Sequence, residues 1–206
     1  MVWYASYGSN LSRERFLCYI RGGRPPGAER TYAGCRDQSL PLDARKVMIN
    51  RKLYFAKNST TWQNGGVAFV KDNLDHKEKT LGCMYLITEE QFKDVIKQEI
   101  GQEENIEVDL KRIARKGEEV FKSEAWYGKI LYLHKEDKIP VFTFTHENEI
   151  EKKESPSPCY LRTILAGIRE TYPFMSQKEL FDYCLAVPEI KNAYSKKRLK
   201  ELFGEK

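Results

Sequence analysis

Val2-Trp3-Tyr4-Ala5-Ser6-Tyr7-Gly8-Ser9-Asn10-Leu11 opens the chain with a β-prone apolar stretch that runs straight into Tyr-Gly-Ser-Asn. Helix-like sequence follows at once, Leu11-Ser12-Arg13-Glu14-Arg15-Phe16-Leu17. Strand, glycine-bearing turn and helix start, in that order, make a compact anion-binding device. The unpaired N–H groups of a helix N-terminus point at whatever sits in the turn, and glycine lets backbone approach a ligand closely. The spacing fits neither Gly-x-x-x-x-Gly-Lys-Ser/Thr nor Gly-x-Gly-x-x-Gly, which excludes both nucleotide signatures. The same residues also read as a well-capped first helix, with Ser9 or Asn10 as N-cap. The local pattern leaves both readings open.

Working outward, residues 1–8 predict a strand and 10–19 a helix, and Arg21-Gly22-Gly23-Arg24-Pro25-Pro26-Gly27 a loop. From Thr31 to Leu86 the pattern is β-like. Its strands are Lys52–Ala56, Gly66–Val70 and Leu81–Ile87, with Asn64-Gly65-Gly66 as a turn signal. Thr88-Glu89-Glu90-Gln91 has the form of a capping box, and the helix it opens ends near Gly101. Residues 102–122 are charged, with a weak helical period through Val108 and Ile113, and read as an excursion over the core. Trp126–Leu133 and Pro140–Thr145 predict two more strands. Ser157 as N-cap and Pro158 at the first helical position begin a helix with Leu161, Ile164, Leu165 and Ile168 on one stripe. A second capping box, Ser176-Gln177-Lys178-Glu179, opens a helix carrying Leu180, Cys184 and Val187, and a basic helix ends the chain. Short strands mixed with helices, without βαβ alternation, define an α+β class.

Composition bounds the rest. The 206 residues, 41% hydrophobic and 12% aromatic, are enough for one globular domain plus a small appendage. No apolar run reaches transmembrane length and no leader-like segment precedes the first strand, so the expectation is a cytoplasmic protein without membrane association. The five cysteines are scattered with no Cys-x-x-Cys pair, as in reduced thiols, and the three histidines have no metal-ligand spacing. Much of the net charge of +5 lies in the last sixteen residues. Such a run usually forms the solvated face of a terminal helix; nucleic-acid binding through it is a weaker reading, since the remainder is near neutral.

One residue breaks its own pattern. Phe92, Val95 and Ile96 define the apolar stripe of the helix after Thr88, and the next position on that stripe is Glu99. Burial disfavours the charged carboxylate, and so does the negative end of the helix macrodipole. Both raise its pKa and suit a general base that later acts as an acid. The plain alternative is a helix that frays at Gln98 and lets Glu99 swing into solvent.

Several separated segments resemble the gamma-glutamylcyclotransferase family. Tyr4-Ala5-Ser6-Tyr7-Gly8-Ser9-Asn10-Leu11 resembles its opening motif, where an aromatic strand enters Tyr-Gly-Ser-Asn. Trp62-Gln63-Asn64-Gly65-Gly66-Val67-Ala68 with Leu81-Gly82-Cys83-Met84-Tyr85 looks like its central strand pair. Lys97-Gln98-Glu99 occupies the place of the family's catalytic glutamate, and Ser155-Pro156-Ser157-Pro158-Cys159-Tyr160 is similar to its late Pro-Ser-Pro-x-Tyr segment. Ile100 stands where family members often have glycine, and Ala5-Ser6 makes one pocket wall smaller.

The resemblance implies a small closed or nearly closed mixed β-barrel surrounded by helices over residues 1–172, with 173–206 as a helical basic extension. It implies a cyclotransferase that converts a γ-glutamyl amino acid or a γ-glutamyl-amine to 5-oxoproline and a free amine; a related enzyme of the same fold acting on glutathione is a rival. Glu99 would be catalytic, and Tyr4, Ala5, Ser6, Tyr7, Gly8, Ser9, Asn10 and Tyr160 would bind substrate. No metal or organic cofactor is needed, the partner is the small γ-glutamyl molecule, and a homodimer stays open. The rival reading is a non-catalytic small-molecule-binding module on the same fold.

Overall fold

The computed structural model describes residues 1–25, 30–101 and 107–202. The opening strand β1 (Val2–Ser6) sits inside a six-stranded sheet, every residue of it buried. β1 pairs antiparallel with β5 (Thr80–Ile87) and parallel with β8 (Ile139–Thr145). Beyond β5 lies β2 (Asp43–Ile49); beyond β8 lie β7 (Lys129–Glu136) and the short edge strand β6 (Glu118–Val120), giving the order β2-β5-β1-β8-β7-β6. A separate hairpin pairs β3 (Leu53–Ser59) with β4 (Gly65–Val70). Among the described residues, the strands form an open mixed sheet plus a hairpin, so the closed or nearly closed barrel that the resemblance implied is not closed into a strict barrel here.

Helices form where the local chemistry starts them. Thr88 accepts from the Gln91 N–H while the Gln91 side chain accepts from Thr88 N–H, and this capping box opens α2 (Glu89–Ile100). Gly101, at φ 66°, ends it in the left-handed conformation glycine adopts without penalty. Ser157 caps α4 (Pro158–Thr171), whose stripe Leu161, Ile164, Leu165 and Ile168 is buried. The second capping box opens α5 (Gln177–Ala186), and Val187 is its C-cap and not an interior position.

Three boundaries differ from the sequence reading. The first α-helix, α1 (Arg13–Arg21), starts three residues late because Ser9–Leu11 forms a 3₁₀ turn. The strand expected from Trp126 begins at Lys129, since residues 121–128 turn back on themselves: the Gly128 N–H donates to Ala125 and its carbonyl accepts from Phe121. The described part of the charged excursion holds α3 (Leu110–Lys116), capped by Asp109, and β6; residues 102–106 lie outside the described chain. At the other end, α6 (Pro188–Ala193) and α7 (Lys196–Leu202) follow α5 and bury Ile190, Tyr194, Leu199 and Leu202.

Two close approaches bring remote segments to one place. The chain at 153–157 crosses the β3–β4 hairpin, with Gly66 N–H donating to Ser155 O and Glu154 N–H to Phe55 O. A Cβ on Gly66 would lie 2.2 Å from Glu154 O and one on Gly65 2.3 Å from Ser157 N, so only glycine permits the crossing. Likewise a Cβ on Gly167 in α4 would lie 2.4 Å from the Leu11 carbonyl carbon, so this helix rests directly on the turn after β1. No helix among the described residues is long and apolar enough to cross a membrane.

Candidate active site

The turn after β1 is held from several sides. The Tyr85 hydroxyl donates to Asn10 O at 3.0 Å and Leu11 O at 3.3 Å. The Tyr7 hydroxyl donates to Phe144 O on β8. Tyr4 packs between α1 and β8, its ring 5.4 Å from Phe16 and 5.1 Å from Phe144. Above the turn opens a cavity of about 290 Å³.

Seven of the eight substrate-binding residues expected from the sequence line it: Tyr4, Ser6, Tyr7, Gly8, Ser9, Asn10 and Tyr160. Ala5 does not. Side chains alternate along a strand, so with Tyr4 and Ser6 on the cavity face Ala5 faces the other way; its carbonyl accepts from Thr143 Oγ1. Neither Ser9 nor Asn10 caps a helix: α1 begins after Ser12. The Ser9 hydroxyl instead accepts from Arg15 Nε at 2.7 Å, and Asn10 Nδ2 reaches Tyr4 Oη at 3.3 Å and Glu99 Oε1 at 3.4 Å.

Glu99, half-buried, lines this cavity. The last turn of α2 does not fray, because Gln98 is tied on three sides. Its Nε2 donates to Tyr19 O at 2.9 Å, its Oε1 accepts from Gly34 N–H, and its carbonyl accepts from Arg30. Burial raises the Glu99 pKa above the ordinary glutamate value, against the opposing pull of a Tyr19 hydrogen bond, Arg15, Arg30 and Asn10. Tyr160, in the first turn of α4, is buried and its hydroxyl accepts from Ala68 N–H at 3.1 Å. Burial pushes its pKa up to about 12, so it stays a neutral donor. A Cβ on Gly8 would come within 3.0 Å of that hydroxyl, which fixes how close the turn and Tyr160 lie.

The sequence reading missed the cationic and aromatic half of the cavity. Arg15 is 5% exposed, with Nη2 donating to Tyr32 Oη at 2.7 Å and its guanidinium 4.7 Å above the Trp62 ring and 5.5 Å from Tyr32. Burial disfavours its charge, but Tyr19, Tyr32 and Glu99 together outweigh that and raise its pKa. Arg30 lies 4.9 Å over the other ring contact, Tyr32. Trp62 reaches the site from a 3₁₀ turn (Thr60–Trp62) between β3 and β4, and Trp126 and Tyr127 from the loop before β7. One signal was available: Arg15 and Tyr19 are four residues apart and share a helix face. Their partners, 13 to 47 residues farther along, left no local trace.

Two buried polar atoms at the wall have no hydrogen-bond partner among the described residues, Asn10 Oδ1 and Arg15 Nη1. One is an acceptor and one a charged donor. The arrangement therefore offers a carboxylate that can exchange a proton, a backbone turn, a neutral phenol and an unsatisfied guanidinium around one small cavity.

This mixed α+β architecture is the gamma-glutamyl cyclotransferase fold. A solved gamma-glutamyl cyclotransferase superposes with a TM-score of 0.53 over 98% of both chains at 17% identity. An uncharacterized human protein known from a crystal structure gives 0.52 over 98% of this chain and 96% of its own, also at 17% identity. In sequence, the chain is 35% identical over 187 residues to histone deacetylase 5 of Arabidopsis thaliana, covering 82% of this chain. It spans 28% of that protein's length. No protein-family model matches the chain.

Proposed function

We propose that the chain is a cyclotransferase that closes the glutamyl part of a γ-glutamyl compound into 5-oxoproline and releases an amine. The observation that carries this reading is Glu99, a proton-exchanging carboxylate with a raised pKa, in one cavity with the Tyr7-Gly8-Ser9-Asn10 turn and Tyr160.

A γ-glutamyl compound holds an α-ammonium and a γ-amide on one short chain. Glu99 takes a proton from the ammonium; the freed amine attacks its own γ-carbonyl, forming the lactam C–N bond. The old amide C–N bond then breaks as Glu99 returns the proton to the departing nitrogen, and the second proton, lost by the ring nitrogen after attack, passes to the released amine, which leaves as an ammonium. Because an α-amino group has a pKa of about 8, a carboxylate raised from its usual value makes the first transfer less uphill. The attack is intramolecular, so holding a bent substrate supplies much of the acceleration, up to about 7–11 kcal/mol in favourable systems. In this reading Asn10 Oδ1, buried without a partner among the described residues, accepts from the ammonium. Backbone N–H groups of the turn hold the substrate carboxylate or the developing oxyanion, and the Tyr160 hydroxyl donates to the glutamyl part.

The test is 5-oxoproline by mass spectrometry, from the native protein and Glu99→Gln, over γ-glutamyl amino acids, γ-glutamyl-amines and glutathione. Lactam from the native protein, reduced about a thousandfold in the variant, is the expected result, within the ~10²–10⁴ typical of a general base. No lactam from any donor by a folded protein moves the reading to a binding module without chemistry.

A further inference from the structure

We propose that Arg15, assisted by Arg30, is the specificity-determining residue of the cavity and binds a second carboxylate, carried by the leaving amine; the inference rests on the cyclotransferase reading. Among the described lining residues only three carry charge: Arg15, Arg30 and Glu99. The site is thus built for one cation and two anions. A γ-glutamyl amino acid brings an ammonium and two carboxylates, whereas a γ-glutamyl-amine brings an ammonium and one.

The guanidinium of Arg15 is already oriented for this task. Nε is committed to Ser9 Oγ and Nη2 to Tyr32 Oη, and the plane is held over Trp62. Nη1 is left buried without a partner among the described residues. A buried, unsatisfied charged donor is costly, and a carboxylate is the acceptor that satisfies it best. A surface arginine would lose side-chain entropy on binding; this one is ordered beforehand by two hydrogen bonds and a ring. Arg30 is exposed and lies over the opposite contact ring, Tyr32, so it adds charge at the mouth, while its Nη2 also donates to the Gln98 carbonyl at the end of α2. The turn after β1 serves the glutamyl carboxylate, which leaves the arginine for the other end of the substrate.

The experiment uses a matched pair of donors, γ-glutamyl-alanine and γ-glutamyl-ethylamine, which differ by the leaving-group carboxylate alone. The ratio of their kcat/KM values is read for the native protein, Arg15→Gln, Arg15→Lys and Arg30→Gln, each checked for folding by thermal unfolding. The native ratio is expected to favour the alanine donor about ten- to hundredfold, the scale of one charged hydrogen bond. It falls towards one in Arg15→Gln and to intermediate values in Arg15→Lys and in Arg30→Gln, which is exposed and should fold. A native ratio near one, or a ratio unmoved by Arg15→Gln, overturns the inference while lactam formation leaves the cyclotransferase reading standing. If Arg15→Gln does not fold, an Arg30→Gln ratio equal to the native one overturns it. Absence of lactam from both donors in the native protein overturns this inference; the cyclotransferase reading itself falls only if the wider donor panel also gives none.

Discussion

At Glu99 the demands of chemistry and of folding diverge. Because its pKa is raised in the folded chain, the folded state binds the proton more tightly than the unfolded one. That contribution to stability is complete below the unfolded value of about 4.3 and is lost as pH rises through the raised folded value. Glu99→Gln, which mimics the protonated form, should therefore melt higher than the native protein at pH 8, with the gap closing as pH falls towards 4. Thermal unfolding followed by circular dichroism across that range checks it; a gap independent of pH contradicts a buried, titrating carboxylate. On the cyclotransferase reading, the same shift moves the acid limb of the kcat/KM profile up from the ordinary glutamate value. The position of Glu99 was legible because α2 is regular and its apolar stripe predicts residue 99. Arg15 was not legible, since an arginine between Glu14 and Phe16 looks like any solvated helix residue until Trp62 and Tyr32 cover it.

Among the elements, the contact of α4 with the turn after β1 sets the site's geometry. Gly167 lets the helix touch the backbone of Leu11 and Ser12, and the same helix carries Tyr160 into the cavity. Gly167→Ala inserts a methyl where backbone lies 2.4 Å away, so helix and turn must separate. The expected cost is about 1–3 kcal/mol, as for overpacked sites, together with a fall in kcat/KM out of proportion to the loss of folded protein. Denaturant unfolding and initial rates on the same preparation measure both. Caps at Thr88, Ser157 and Ser176 could be read from sequence because each is decided within four residues. The strand starting at Lys129 could not. Its neighbours Trp126 and Tyr127 are β-prone, and only the reversal at Ala125–Gly128 turns them towards the cavity.

Over the whole molecule, α5–α7 are bound into the same core as the sheet. Leu180, Phe181, Cys184, Ile190, Tyr194 and Leu199 are buried there. Tyr194 donates to Pro156 O at 2.6 Å, and the Tyr183 hydroxyl accepts from Leu81 N–H on β5. Side chains of this size contribute about 1.5–3 kcal/mol each on burial, and a domain's margin is only about 5–15 kcal/mol. A chain cut after residue 172 should therefore lose its cooperative thermal transition and bind a hydrophobic dye. Retention of a sharp transition would make 173–206 a separable appendage. The basic face of α7 is exposed, as a charge run predicts, with Arg198 paired to Glu201. Sheet closure was the reading that local pattern could not decide, since strand order depends on remote pairings such as Val2 with Ile87 and Trp3 with Val141. Those pairings also impose an order of assembly. β1 leaves the ribosome before both of its neighbours, meets β5 only after residues 80–87 are made, and finds its parallel neighbour only after 139–145. For much of synthesis an apolar strand keeps a bare edge, so the nascent chain is most vulnerable to aggregation before its own middle has been translated.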